Sequence, residues 1–177
     1  GNNLGDDHFP TIHMEKVYGD SLTIDLMLKG GGCENVGRQY SLPDTRLHAN
    51  RDLEGVRKVV LDAVYQAQGQ GCAPGYLGVA IGGDRGSGYM VSKEALLEPL
   101  DQDNADPELS ALEDRITQEA NQLGIGPMGF GGKSTILGTK IRSTHRLPAS
   151  YFVTVSYMCW AFRHRRMMLE GNKVSYT

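Results

Sequence analysis

Disulfide pairs, zinc signatures, membrane spans and basic excess are all missing from this sequence, and each absence narrows what the chain can be. Its 177 residues hold three cysteines, at positions 33, 72 and 159. That odd, widely spaced set cannot supply a secreted disulfide framework, so a reducing, cytoplasmic setting is predicted. No Cys-x-x-Cys or His-x-x-x-His pair occurs, which argues against a structural zinc site. No apolar run approaches the ~18 to 20 residues of a membrane span, and the start, Gly1 to Pro10, is polar and turn-like rather than a signal peptide. A soluble protein with no membrane partner follows. The formal charge is −3 with signs interspersed, so nucleic acid is not expected as a partner. The length predicts one domain with a sizeable core, spanning 1–177.

Glycine is abundant, at 23 residues, and it clusters. Leu123 to Lys133 carries five glycines in eleven residues; such a loop permits positive φ and can leave amide groups bare for an anionic ligand. A P-loop would need glycine where Pro127 stands, so Gly132-Lys133-Ser134 only imitates its tail. Gly131, Gly132 and Lys133 are therefore candidates for carboxylate or phosphate recognition. In Lys29-Gly30-Gly31-Gly32-Cys33-Glu34-Asn35, three glycines following a strand remove every Cβ along about 10 Å of extended chain. That stretch reads either as a linker or as a built site, and the flanking Lys29, Glu34 and Asn35 favour the site.

Hydrophobic periodicity supplies the frame. Thr11 to Val17 and Leu22 to Leu28 read as strands joined by a tight turn at Gly19-Asp20, with Leu22, Ile24, Leu26 and Leu28 on one face. Asp52 to Gln68 predicts a helix stopped by Gly69. Tyr76 to Ile81 is a short continuous apolar run, typical of a strand buried on both faces; the glycine-rich stretch Gly82 to Gly88 at its carboxyl end is where open α/β sheets bind ligands. Ser92 is placed as the cap of a helix through Leu97, Asp101 to Asp106 as solvated surface, and Asp106-Pro107 as the start of a helix ending at Gly124. Thr135 to Ile141 and Tyr151 to Met158 are strands joined through His145 to Ser150. The fold class is α/β: a mixed sheet with flanking helices, glycine-rich ligand loops at strand ends, and no internal repeat.

Cys72 and Cys159 each sit at the end of a buried strand. A lone cysteine there is commonly a small buried hydrophobe, and His145 and the run Arg163 to Arg166 read as structural and solvated groups. Taken by themselves, the residues describe an α/β domain with an anion-binding site.

Several motifs in register go further. Lys29 to Asn35, Cys72-Ala73-Pro74, Gly124 to Lys133, and Pro148-Ala149-Ser150 leading to Cys159 resemble, in order and approximate separation, the alpha region of class I iron–sulfur fumarate hydratases and L-tartrate dehydratases. Asn3-Leu4-Gly5 is similar to an Asn-Thr-Gly near the front of that pattern. The resemblance covers nearly the whole chain and implies a hydro-lyase acting on a C4 dicarboxylate such as fumarate or malate. A tartrate or related hydroxy-diacid dehydratase is the alternative within the family, and a non-catalytic small-anion-binding domain the alternative outside it.

The resemblance also implies a 4Fe-4S cluster held by three cysteines, with Cys72 and Cys159 as two of them and the third outside this chain, because the family's upstream Cys-x-Asp-Thr-Gly segment has no counterpart here. Gly32 matches the backbone position that faces substrate. Cys33 stands where the commoner form has serine. The family histidine directly preceding the Pro/Gly-Ala-Ser run is replaced by Leu147, leaving His145, two residues earlier, as the candidate acid–base group. The implied partners are a small dicarboxylate substrate, a beta domain or beta subunit supplying base and carboxylate-binding residues, and an oligomeric assembly, homo- or hetero-. The chain by itself is expected to be inactive.

Overall fold

The computed structural model describes residues 12–177. They fall into two compact units, the larger Asp25–His164 and the smaller formed by the chain up to Ile24 together with Arg165–Thr177.

The larger unit is built on a four-stranded sheet of order β2-β5-β3-β4, from β2 (Arg38–Ser41), β3 (Gly75–Gly83), β4 (Ile136–Arg146) and β5 (Phe152–Met158). β3 and β4 are parallel, while β5 runs antiparallel to both β3 and β2. The mixed sheet and α/β class predicted from the sequence are thus present. β3 is buried along nearly its whole length, as its unbroken apolar run requires.

The faces of the sheet differ in residue size. Gly78 and Ser156, paired across β3 and β5, face α3 (Arg85–Ala95). Ser92 is interior to that helix, fully buried and 2.7 Å from the Ser156 hydroxyl, so it is not the predicted cap. Asp84 caps α3 instead, accepting from the Gly86 and Ser87 amides at 2.7 and 3.0 Å. A Cβ on Gly78 would lie 2.0 Å from the Ser92 carbonyl oxygen, and that contact is why small residues line this face. On the other face, branched side chains of β3 and β5 pack with α2 (Leu53–Ala67) and α4 (Pro107–Gln122). Asp52 caps α2 by accepting from Gly55 N–H at 2.6 Å, and Val56, Val59, Val60, Ala63, Val64 and Ala67 form its buried stripe. In α4, capped by Asp106, the stripe is Leu109, Leu112, Ile116 and Ala120, and Leu123 lies outside it, half exposed.

Glu113, on α4, is buried yet satisfied. Its carboxylate accepts from the Ile141 amide at 2.7 Å and the Asn104 side chain at 2.8 Å, and Lys140 lies 3.5 Å away. Asn104 also donates to the Ile141 carbonyl. One residue of the acidic loop is therefore a brace rather than solvated surface.

Other sequence expectations are corrected. The glycine run does not stay extended: Gly31–Asn35 forms a short helix, α1, with Gly30 as its N-cap and the Glu34 amide donating to the Gly30 carbonyl at 3.1 Å. The predicted first hairpin does not form, since residues 12–17 carry no strand; Thr11 lies outside the described residues. β1 (Ser21–Leu28) instead neighbours β6 (Arg163–Glu170), which pairs with β7 (Lys173–Tyr176), in a separate three-stranded sheet. On β1, Leu22, Ile24, Leu26 and Leu28 remain 48–56 % exposed. The run Arg163 to Arg166 belongs to β6.

Candidate functional site

Antiparallel pairing decides which predicted residues meet. Because β5 runs against β3, Met158 lies opposite Tyr76, so Cys159, after β5, and Cys72, before β3, come to the same end of the sheet. β4 begins there too, Ile136 opposite Gly75, which brings in the glycine-rich loop and Lys133. β2 starts opposite Val155, so α1, with Gly32, Cys33 and Asn35, joins the same end.

Close backbone approaches tie these segments together. A Cβ on Gly32 would stand 3.3 Å from the Gln70 carbonyl oxygen. On Gly69 it would collide with the Met128 carbonyl at 2.2 Å, so Gly69 does more than end α2, whose stop is made by Gln68 with φ 46°. The Met128 amide donates to the Ala73 carbonyl at 2.9 Å. Three motifs far apart in sequence thus form one layer over the strand ends.

The glycine-rich loop departs from its predicted role as a bare amide cradle. Gly126 donates to the Thr135 hydroxyl, Gly129 to the Gly126 carbonyl, Phe130 to Pro127, Gly131 to Ile125 and Gly132 to Gly124, at 2.8 to 3.3 Å. All five glycines have positive φ, and a Cβ on Gly126 would lie 2.2 Å from the Gly131 backbone. Glycine is needed there because the loop folds onto itself. Its exposed groups are side chains: Lys133, and Phe130 at 93 % exposure.

At α1, the Lys29 ammonium meets Glu34 at 2.7 Å and Lys93, from α3, meets the same carboxylate at 2.8 Å. Partial burial opposes ionisation of Glu34, but the two ammoniums outweigh it and hold the carboxyl below its usual range. Asn35 is exposed beside them. Cys33 is buried, its thiol donating to the Gly30 carbonyl at 3.0 Å and lying 3.9 Å from the Met158 sulfur.

Beneath the layer lies Tyr157, which sequence reasoning missed. Its ring is clasped by two glycines: a Cβ on Gly71 would come within 2.5 Å of it and one on Gly75 within 2.1 Å. Only 2 % of the residue is exposed, and its hydroxyl is the one buried side-chain oxygen or nitrogen without a hydrogen-bond partner among the described residues. Burial first, then the charges of Cys33, Cys72 and Cys159, pushes the phenol up to about 12. The available signal was a tyrosine near the end of a buried-strand pattern, two residues before a cysteine.

His145 is not brought to this end. It sits near the close of β4, exposed, where Gly83 pairs with Arg146; at ~3.3 Å per residue the run from Ile136 to His145 covers about 30 Å. Leu147 follows it, also exposed. Gly82 to Gly88, at that far end, is consumed by the cap of α3. Asn3-Leu4-Gly5 lies outside the described residues.

A family model described as fumarate hydratase (Fumerase) matches residues 1–168. The chain belongs to that family. It is 51 % identical over 175 residues to a protein of Geobacillus stearothermophilus named as a candidate class I fumarate hydratase, covering 97 % of this chain and 34 % of the relative. It is 32 % identical to the alpha subunit of L(+)-tartrate dehydratase of Escherichia coli O157:H7, covering 87 % of this chain and 49 % of the relative, and 31 % identical to the corresponding subunit of strain K12, covering 86 % and 49 %. This member of the fumarate hydratase family thus spans about a third to a half of the length of the relatives it matches.

Whether the site suits an iron–sulfur group turns on its donors. Cys33, Cys72 and Cys159 are all free thiols, and Cys72 and Cys159 are partly exposed at the same strand ends. Soft thiolates are the ligands such a group takes. Among the described residues no three His, Cys, Asp or Glu side chains are gathered closely enough to hold a metal ion. Two thiols at one end of the sheet are of the donor type such a group takes. No helix among the described residues is long and apolar enough to cross a membrane.

Proposed function

We propose that this chain is part of a hydro-lyase that reversibly adds water across the double bond of a C4 dicarboxylate, fumarate giving malate, with a 4Fe-4S cluster held by Cys72, Cys159 and a third thiolate from outside residues 12–177. The observation that carries the reading is the meeting of Cys72, Cys159, α1 and the glycine-rich loop at one end of the sheet, in a chain whose family includes fumarate hydratases. When bound, the cluster supplies a Lewis-acidic iron that makes a substrate hydroxyl a tolerable leaving group.

This chain's residues do the holding and orienting. Cys72 and Cys159 provide two thiolates from strand ends fixed by the β3–β5 register. Gly32 keeps α1 close against Gln70, so the backbone of α1 is presented to substrate at a set height. Lys29 and Lys93 share Glu34, and Asn35 projects beside them. With the amides of Gly131 and Gly132 occupied, carboxylate recognition at that loop falls to the Lys133 ammonium, an exposed point charge. Folded amides weaken the reading as a non-catalytic anion nest, since they are no longer free to donate.

Proton transfer at the neighbouring carbon is assigned to a second domain or subunit, because His145 is about a sheet's length away. The second carboxylate is bound there as well, in an oligomer whose site is complete only when both parts are present. Free thiols at three positions suit a reducing, cytoplasmic compartment.

The test is anaerobic reconstitution of the whole protein with iron and sulfide, followed by assay with fumarate, malate and L-tartrate. Bound iron and sulfide with hydration of fumarate are expected. Hydration by protein free of iron, or iron binding without action on any of the three acids, overturns the proposal.

A further inference from the structure

The Tyr157 hydroxyl is out of place in the protein as folded. Its strand neighbours are satisfied: Ser156 bonds Ser92, and Thr154 accepts from Gln39 at 2.9 Å. Burying a hydroxyl without a partner is costly, and phenylalanine would fill the same space without that cost. Nor is the ring loosely placed, since Gly71 and Gly75 leave room for nothing larger than hydrogen against it. Those glycines flank Cys72, and the strand that carries Tyr157 ends at Cys159. Met158, the next residue, turns its sulfur toward Cys33. The hydroxyl is thereby held in the segment that joins the two cysteines, and no acceptor among the described residues takes its proton.

Resting on the cluster reading above, we infer that Tyr157 is a positioning residue for the sulfur-bearing group that Cys72 and Cys159 hold, its hydroxyl donating a hydrogen bond to one of that group's sulfurs. An O–H donor directed at a cluster sulfur stabilises the more negative, reduced form and so raises the reduction potential. It also converts the cost of an unpartnered hydroxyl in the empty protein into a stabilising contact in the loaded one.

The experiment compares wild-type and Tyr157→Phe whole protein, each with and without anaerobic loading by iron and sulfide. Without the cluster, Tyr157→Phe should melt at a higher temperature than wild type. On loading, wild type should gain more in melting temperature than the variant, and the variant's cluster should show the lower reduction potential at equal iron content. Equal gains and equal potentials overturn the inference. A variant that cannot fold shows the hydroxyl to be required without the cluster, and overturns it too. Wild-type protein that takes up no iron and sulfide overturns the cluster reading itself and this inference with it, an outcome recognisable before the variant is made.

Discussion

The two ends of the central sheet use glycine in the same way and enclose different chemistry. Where β5 finishes and β3 and β4 begin, Gly69, Gly71, Gly75 and Gly126 admit backbones and an aromatic ring to contacts that a Cβ would block. The side chains at that end include three free thiols and one unpartnered hydroxyl. At the opposite end, Gly82, with φ 96°, lets the Thr144 carbonyl come where a Cβ would be 2.2 Å from it, and Asp84 accepts from two amides, which with the Ser87 hydroxyl hold its carboxyl below the usual range. The Asp84 carboxylate and the Ser87 hydroxyl named there both have partners. Glycine richness therefore marks close approach, and only the enclosed side chains tell a site from a joint.

Breaking the comparison at the sulfur end should have the largest effect. Cys72→Ala or Cys159→Ala in the whole protein should abolish iron retention and turnover, since each removes one of the three thiolates proposed to hold the cluster, whereas Cys33→Ser should keep both. Equal iron in all three variants would remove the distinction between Cys33 and the two proposed ligands.

Next come the glycines themselves. Gly75→Ala sets a methyl 2.1 Å from the Tyr157 ring, an overpacking worth about 3 kcal/mol of stability, and iron per folded protein should fall with it. Gly82→Ala should destabilise by a comparable amount through its positive φ and the Thr144 carbonyl, yet leave iron per folded protein unchanged. Urea unfolding with iron analysis of the folded fraction checks both; iron loss in the Gly82 variant would join the two ends functionally.

A smaller effect is set by pH. Glu34 is held below its ordinary value of 4.5, so the unfolded chain takes up its proton before the folded one does. Stability from the Lys29–Glu34–Lys93 contacts is therefore full above that value and is lost as pH falls through the lower folded value. The difference in urea midpoint between wild type and Glu34→Gln should be flat at neutral pH and shrink below about 4.5; a difference that grows on acidification would reverse the assignment.

The smallest expected effect is at the far end. His145→Asn should leave turnover within about twofold of wild type. A loss of about a hundredfold or more with iron content unchanged would give the histidine an acid–base role and require that end to reach the chemistry.

Much of the frame was legible in the residues. The α2 and α4 stripes, the Asp106-Pro107 helix start, and the doubly buried β3 follow from periodicity and capping, which are local. Local signals also misled. Gly19-Asp20 looked like a hairpin turn, but β1 neighbours β6, more than a hundred residues away. The real hairpin, β6–β7, turns at Gly171-Asn172, a readable turn pair hidden between strands without clear alternation. β2 escaped notice because only Tyr40 of its four residues is buried. Three successive glycines implied extended chain, and the helical turn α1 formed because Gly30 accepts from both the Glu34 amide and the Cys33 thiol.

By itself the sequence determined the α/β class, the positions of the long helices and the motifs that resemble the fumarate hydratase family, because these depend on residues within a few positions of one another. Only the tertiary structure decided which motifs meet. The antiparallel placement of β5 against β3 joins Cys159 to Cys72, and the parallel placement of β4 carries His145 away from them. Strand direction within a sheet is fixed by pairing between distant segments, and no local pattern records it.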